Sequence, residues 1–400
     1  MPRIWAGIDA GKAHHHCVVV DVEGNRLYSK KVPNTETDIL NLLAHVAGLA
    51  DGHELTWATD LNQGGAALLI AVLTAHGQNV LYLPGRTVYT AARTYRGDAK
   101  TDAKDAWIIA DQARMRRDLY PISISDEIAT DLRLLCAHRT DLMTDRTRIL
   151  NRLRATLLEY FPGLDAALDF AKSPAGLTLL TGYQDAASLR RMGVTRLSAW
   201  LRRRGYHRPE RVAQAAVDAA HAQHTVLPGQ SAAAVIVAKL ATDVLRLTAD
   251  AAEIEKRIEA RLREHADAEL LLSVPGFGPM LAAEFTAATG GSMTRFATAD
   301  RLAGVAGLAP APRDSGRISG NNHRPKRYDR RLLRACYLSA QVAAIWCPTS
   351  RAFYERKRGE GKSHTQAVLA LARRRINVIW AMLRDRTTFQ HPAAIAASTT

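Results

Sequence analysis

Four cysteines are spread over 400 residues, at Cys17, Cys136, Cys336 and Cys347, with no CxxC spacing among them. That scarcity excludes a disulfide framework and a thiolate zinc site, and it suits a reducing, cytoplasmic setting. Long apolar runs are missing as well. No stretch approaches the roughly 20 residues that a membrane-spanning helix needs. The opening residues, MPRIWAGIDAGK, pass straight into a strand-like segment, so no cleaved signal is expected. Acid is short relative to base: 39 Asp and Glu face 54 Lys and Arg, a net charge of +15. A fold gains nothing from that excess, whereas a polyanionic partner does. No basic amphipathic anchor lies beside an apolar stripe, so a membrane surface is disfavoured and nucleic acid is expected. What remains, 47% apolar and 23% charged residues over this length, is the composition of a globular protein of two or three domains.

Residues 3–9, RIWAGID, read as a buried strand ending on Asp9. HHHCVVVDVEGNRLYSKKV then supplies two strands around a turn at Glu23-Gly24-Asn25. A helix from Thr37 to Val46, a fourth strand HELTWATD ending on Asp60, a helix over 65–76 and a fifth strand QNVLYL follow. Three antiparallel strands and then alternating helices and strands is the order of a ribonuclease-H-like mixed α/β sheet. KTDAKDAWIIAD, at 100–111, opens a further helix. Thr101 is a fair N-cap, and Asp102 and Asp105 in the first turn are favoured by the helix dipole. The same two acids share one helix face. In such a sheet the first and fourth strands are neighbours, so Asp9 and Asp60 emerge at one edge and the helix can bring Asp102 and Asp105 across it. Converging carboxylates repel unless a cation neutralises them. Mg2+, a hard ion that takes carboxylate and phosphate oxygens together, fits that role. The run His14–His16 is expected to be structural, because only alternate residues of a strand share a face.

From Asp126 to Phe161 a long helix is expected, with Ile128, Leu132, Leu135, Leu142, Ile149 and Leu153 as its stripe and Arg133, Arg146, Arg148, Arg152 and Arg154 on the opposite face. A second long helix, about 231–268, carries Val237, Leu240, Val244, Leu247, Ala251, Ile254 and Ile258 at alternating spacings of three and four, the coiled-coil period. Pairing within the chain and pairing between subunits are both open. The Ala- and Arg-rich stretch 165–230 has weak helical patterning and no assigned role.

LLLSVPGFGPMLAAEFTAATGG, at 270–291, sets a Gly-rich turn between two short helices. A helix-hairpin-helix looks like this, and its turn, here Gly276 and Gly278, can present N–H groups to a DNA phosphate. So can look an ordinary packing unit. GLAPAPRDSGRISGNNHRPKRYDRRLLRACYLSA, at 307–340, puts Ser315 in an irregular loop between Arg313 and Arg317, followed by Arg324, Lys326, Arg327, Arg330, Arg331 and Arg334. It reads either as a basic loop gripping phosphate or as a serine nucleophile whose neighbouring guanidiniums stabilise developing charge. On composition Ser319 would serve almost as well.

GIDAGK, the acid at Asp60, YRGDAKTDAKDA, SVPGFGP and GLAPAPRDSGRISG resemble, in this order, the one-ten family of bacterial insertion-sequence transposases, the bridge-RNA-guided DEDD recombinases. The resemblance covers the chain to about residue 160 and again from about 265 to 385. It implies a RuvC-like domain over 1–125, long coiled-coil helices with a helical insertion over 126–268, a mainly helical transposase domain over 269–390 and a tail over 391–400. It implies an Asp, Glu, Asp, Asp tetrad holding Mg2+, carried here onto Asp9, Asp60, Asp102 and Asp105, with Asp60 standing where a glutamate is usual. It implies that Ser315, just before a glycine, forms a covalent 5′-phosphoserine link to DNA. It further implies a noncoding bridge RNA that pairs with target and donor DNA, and dimers that assemble into tetramers. Two rival functions remain open: a hydrolytic, metal-dependent junction resolvase, and a non-catalytic nucleic-acid-binding scaffold.

Overall fold

The computed structural model describes residues 3–97, 100–122, 126–323 and 325–390. Chain contacts divide it into two compact units, Met1–Ile124 and Ser125–Thr400.

The first unit runs β1 (Arg3–Ala10), β2 (His14–Val20), β3 (Arg26–Pro33), α1 (Glu36–Ala50), β4 (Glu54–Thr59), α2 (Ala67–Ala75), β5 (Asn79–Tyr82), α3 (Gly85–Ala92), α4 (Asp102–Met115) and β6 (Tyr120–Pro121). The strands form one mixed sheet in the order β3-β2-β1-β4-β5-β6. β1 pairs antiparallel with β2 and parallel with β4. The helix α3 and the short edge strand β6 have no counterpart in the sequence reading. Both are brief, and β6 is held by only two residue pairs. Apolar residues fill both faces of β1, as a central strand covered by two helical layers requires. Ile4, Ala6 and Ile8 join Ile39, Leu42 and Leu69 of α1 and α2. Trp5 joins Ile108 and Ile109 of α4 on the other face, with Val18 and Val20 of β2 and Ala58 of β4.

The second unit is almost wholly helical: α5 (Glu127–Tyr160), α6 (Pro162–Ala167), α7 (Pro174–Gly182), α8 (Ala186–Arg202), α9 (Glu210–His221), α10 (Gln230–Arg263), α11 (Ala268–Leu272), α12 (Pro279–Thr289), α13 (Ala299–Val305), a hairpin of β7 (Ala311–Pro312) and β8 (Asn322–His323), then α14 (Arg330–Trp346), α15 (Pro348–Gly359) and α16 (His364–Asp385). α5 and α10, 34 residues each, lie antiparallel. Arg139 Nε donates to Glu255 at 2.7 Å, Arg146 Nε to Thr248 Oγ1 at 2.9 Å and Arg261 Nε to Asp131 at 2.8 Å, so residue numbers fall along one helix as they rise along the other. The apolar stripe of α10 is therefore matched inside the chain.

This pair threads two cores. At one end Leu150, Leu153 and Leu157 of α5 and Val237, Leu240 and Val244 of α10 pack with the insertion helices α6–α9. At the other, Leu132, Ile258 and Leu262 join Phe285 of α12, Leu332 of α14 and Ile376 of α16. The stretch 165–230 thus shares a core with these ends of α5 and α10, weak patterning notwithstanding, and its alanines Ala213, Ala216 and Ala220 are buried. The basic face of α5 is also less open than its spacing suggests. Arg146 is turned into the seam with α10, and Arg154 is committed to the buried Asp165 at 3.0 Å.

Candidate active site

The register of β1 and β4 ends at Ile8 opposite Thr59, so Asp9 and Asp60 follow side by side at the strand ends. Alternation puts Trp5, Gly7 and Asp9 on the face covered by α4. Asp60 is tied to β1 by the Ala10 N–H, 3.5 Å from its Oδ1. Over this edge lies the start of α4. Thr101 caps it, its hydroxyl accepting from the Lys104 N–H at 3.2 Å, and Asp102 and Asp105 occupy the first turn. Gly7 fixes how close the helix comes. A Cβ there would collide with the backbone of Ala106 and Ala110, so a glycine is needed for α4 to lie on β1.

The resulting field is strong. The Asp9 carboxyl is half-buried and pushed up to about 7, first by burial and then by Asp60, Asp102 and Asp105; Lys100 pulls the other way. Asp60 is also raised, chiefly by burial, with Asp105 adding and the amides of Ala10 and Leu61 opposing. Four carboxyls from three separate segments thus act on one another. Among the described residues no group of three or more His, Cys, Asp or Glu side chains is arranged to hold a metal ion as it stands. The donor chemistry nevertheless fits a hard divalent cation: the donors are carboxylate oxygens, and the field that raises Asp9 is one such a cation would relieve.

The sequence reading missed His16 at this site. It pairs with Asp9 across β1 and β2 and with Lys31 across β2 and β3, so the three side chains share a face. His16 Nε2 lies 3.0 Å from Ser29 Oγ, and burial lowers its basicity despite Asp102 nearby. The signal was the hairpin register, which a histidine run cannot disclose. His15 points the other way and is buried. Asp111, further along α4, is structural: the Tyr95 hydroxyl donates to its Oδ2 at 2.7 Å and Arg114 Nε to its Oδ1 at 3.0 Å.

In the second unit Ser315 lies at the tip of the β7–β8 hairpin rather than in an irregular loop. Its N–H donates to the Ile318 carbonyl at 3.0 Å and its carbonyl accepts from the Ile318 N–H at 2.5 Å, closing a two-residue turn of Gly316 and Arg317. Below it the Arg313 N–H donates to the Asn321 carbonyl at 2.9 Å, and the Asn321 N–H to Asp314 Oδ1 at 2.9 Å. Arg313, Ser315, Arg317, Lys326 and Arg327 are all exposed, and Arg324 lies outside the described residues.

The two glycines of the Gly-rich turn differ. Gly276 adopts φ +82, and a Cβ on it would strike the Ser339 carbonyl of α14. Packing demands that glycine, and its turn is braced by the buried Arg375, which donates to the Pro275 carbonyl and to Ser339 Oγ. Gly278, by contrast, is exposed at the start of α12, with open space where a Cβ would stand.

Both units carry transposase sequence. Residues 6–162 match the family model for DEDD transposases of the IS110 type, described as a transposase, and residues 268–355 match one described as the transposase IS116/IS110/IS902 family. The chain belongs to this family of insertion-sequence transposases. It is 57% identical to the insertion element IS900 uncharacterized 42 kDa protein of Mycobacterium paratuberculosis, over 99% of both chains. It is 49% identical to the insertion element IS116 uncharacterized 44.8 kDa protein of Streptomyces clavuligerus, over 97% of this chain and 96% of that one. It is 30% identical to the mini-circle putative transposase for IS117 of Streptomyces coelicolor, over 98% and 97%. A solved structure of T. thermophilus RuvC in complex with a Holliday junction substrate aligns at a TM-score of 0.23 and 18% identity, covering 30% of this chain and 99% of that one. That likeness is too slight to carry weight. Among the described residues no helix is long and apolar enough to cross a membrane.

Proposed function

We propose that this transposase cuts and rejoins DNA through two groups of its own residues, the acidic cluster of a RuvC-like domain and the Ser315 hydroxyl. The observation that carries the proposal is the convergence of acids from three distant segments: half-buried Asp9 and Asp60 at neighbouring strand ends, with Asp102 and Asp105 of α4 acting on Asp9. A chain with net charge +15 has little reason to gather acids unless they serve a cation and a phosphate.

Asp9, Asp60, Asp102 and Asp105 would hold Mg2+. When bound, the ion supplies Lewis-acid polarisation of the scissile phosphate and neutralises its charge. The chain's own residues do the rest. The sheet edge and α4 keep the acids fixed. Ser315 Oγ attacks phosphorus, loses its proton and becomes the new ester oxygen; the bond to the 3′-oxygen breaks, and that oxygen leaves as a protonated 3′-hydroxyl. Arg313 and Arg317, two residues to either side of the serine, would stabilise charge on the pentacoordinate phosphate. Because one ester replaces another, a 3′-hydroxyl can later displace serine and rejoin the strands without a high-energy cofactor. A noncoding RNA encoded by the element would select target and donor DNA by base pairing, with the protein gripping backbone and shape. Dimers and tetramers would assemble the complex.

The test is a denaturing gel of protein incubated with labelled DNA, guide RNA and Mg2+. The parent should give a covalent DNA–protein adduct, and Ser315→Ala should bind nucleic acid yet give none. An adduct that survives Ser315→Ala would overturn the serine assignment. Mg2+-dependent nicks with free ends, unaffected by that substitution, would instead establish a hydrolytic resolvase.

A further inference from the structure

A cleft of about 720 Å³ opens within the second unit between α5 and the first turns of α14. Arg139 and Arg148 of α5 line one wall; Arg330, Arg331 and Arg334 of α14 line the other, and Glu284 of α12 lies at its floor. Arg139 and Arg148 are two and a half helical turns apart on α5, about 14 Å along the axis. The space is therefore long as well as wide, more than a single anion needs.

Internal ion pairing is the first explanation to exclude. Arg334 donates to the buried Glu284 at 2.6 Å, Arg139 to Glu255 at 2.7 Å and Arg148 to Asp145 at 3.0 Å. That leaves Arg330 and Arg331, both exposed and neither with a carboxylate partner among the described residues. The helix end offers no substitute, because Asp329 already accepts from the amides of Arg331 and Leu332 at 2.8 and 2.9 Å. Nor do the hydroxyls of Thr140, Thr144 and Thr147, whose protons go to carbonyls of α5 itself. The free donors in the cleft are the Asn151 side-chain amide and the guanidiniums of Arg330 and Arg331, the latter suited to forked contacts with phosphate oxygens. No aromatic side chain lines it among the described residues, so it has no platform for stacking a base.

We propose that this cleft seats the sugar–phosphate backbone of a nucleic-acid strand, with Arg330 and Arg331 making the phosphate contacts and the Arg334–Glu284 pair shaping the floor. The ligand chemistry is a phosphodiester chain, which RNA and DNA share. The inference rests on the reading of the chain as a handler of nucleic acid and is independent of the serine chemistry.

The test uses the full chain carrying Arg330→Gln and Arg331→Gln, with fluorescein-labelled single-stranded RNA, single-stranded DNA and duplex DNA of about 20 nucleotides, titrated by anisotropy from about 50 to 200 mM salt. Loss of two phosphate contacts should weaken binding roughly tenfold or more and reduce the slope of log K against log salt by about 1.4–1.8. A change confined to RNA assigns the cleft to the RNA; one confined to DNA assigns it to DNA; a change in both supports the shared chemistry. Unchanged affinity and slope with every probe would overturn the proposal. If the double variant melts early, Arg330→Gln and Arg331→Gln made singly give the same reading, with a slope change of about 0.7–0.9 expected for each and no change in either overturning the proposal. Ser315→Ala, run alongside, separates the two ideas. It should keep parental affinity and slope while losing the covalent adduct.

Discussion

Asp9 and Ser315 occupy surroundings of opposite kinds. Asp9 is half-buried at the end of a central strand with helices on both faces, and its neighbours come from β4 and α4, far away in sequence. Ser315 is exposed at the tip of a hairpin whose strands are two residues long, and its backbone partners all lie within a few positions. The first arrangement keeps repelling charges close by spending fold stability. The second keeps a neutral hydroxyl accessible and costs the fold little. Damage to the first centre should therefore show up in both folding and chemistry, and damage to the second in chemistry alone.

The largest effect should come from Asp105→Asn, which removes a donor without changing shape. Strand cleavage should fall by about a thousandfold or more, equivalent to roughly 4 kcal/mol in the barrier, with the melting temperature raised because one repelling charge is gone. Retained cleavage in a gel assay would remove Asp105, and with it the acidic cluster, from the chemistry. Next comes Gly7→Ala. The added methyl meets the backbone of α4, so calorimetry should show a loss of about 3 kcal/mol or more, or failure to fold. A stable, active variant would mean that α4 does not need so close an approach.

Asn321→Ala tests the hairpin. It removes the side-chain bond to the Arg313 carbonyl, 3.2 Å long, while sparing the backbone bonds. Adduct formation should drop about tenfold, with stability within about 0.5 kcal/mol of the parent. A fall in stability as large as the fall in activity would erase the contrast between the two centres.

The smallest effect is a pH dependence. Asp9 holds its proton up to about 7 when folded, against 3.8 for the ordinary carboxyl. The native state therefore binds more protons between those values, and stability falls as pH rises through that window. A half-exposed carboxyl realises only a fraction of that shift as stability, so without divalent cation the melting temperature should drop by roughly 2–4 °C over this range. Asp9→Asn should flatten the drop, and Mg2+ at the upper end should reverse it. Parallel curves for parent and variant would mean that the acids do not act on Asp9.

Much of this was legible from local residue pattern. The buried-strand pattern of RIWAGID and HELTWATD placed both strand-end acids, and Thr101 with its two following acids marked the start of α4. The long helices announced themselves through their stripes, with ends close to those expected. What stayed hidden was partnership. Gly276 looked like a phosphate contact but serves packing against Ser339, and Arg146 and Arg154 looked solvated but are engaged within the fold. His16 gave no sign of lying beside Asp9, since that depends on which residue of β2 the turn aligns with it.

By itself the sequence determined the charge excess, the element order and the residue types at each strand end and helix start, because period, capping and composition are properties of neighbouring residues. Only the tertiary structure decided that the acids share one field, that α10 finds its match in α5 of the same chain, and that Arg330 and Arg331 are left without acids in a cleft. Each of these depends on a distance between residues tens to more than a hundred positions apart. Such distances are set by sheet register, helix approach and competition for partners, and those exist only once the chain has folded.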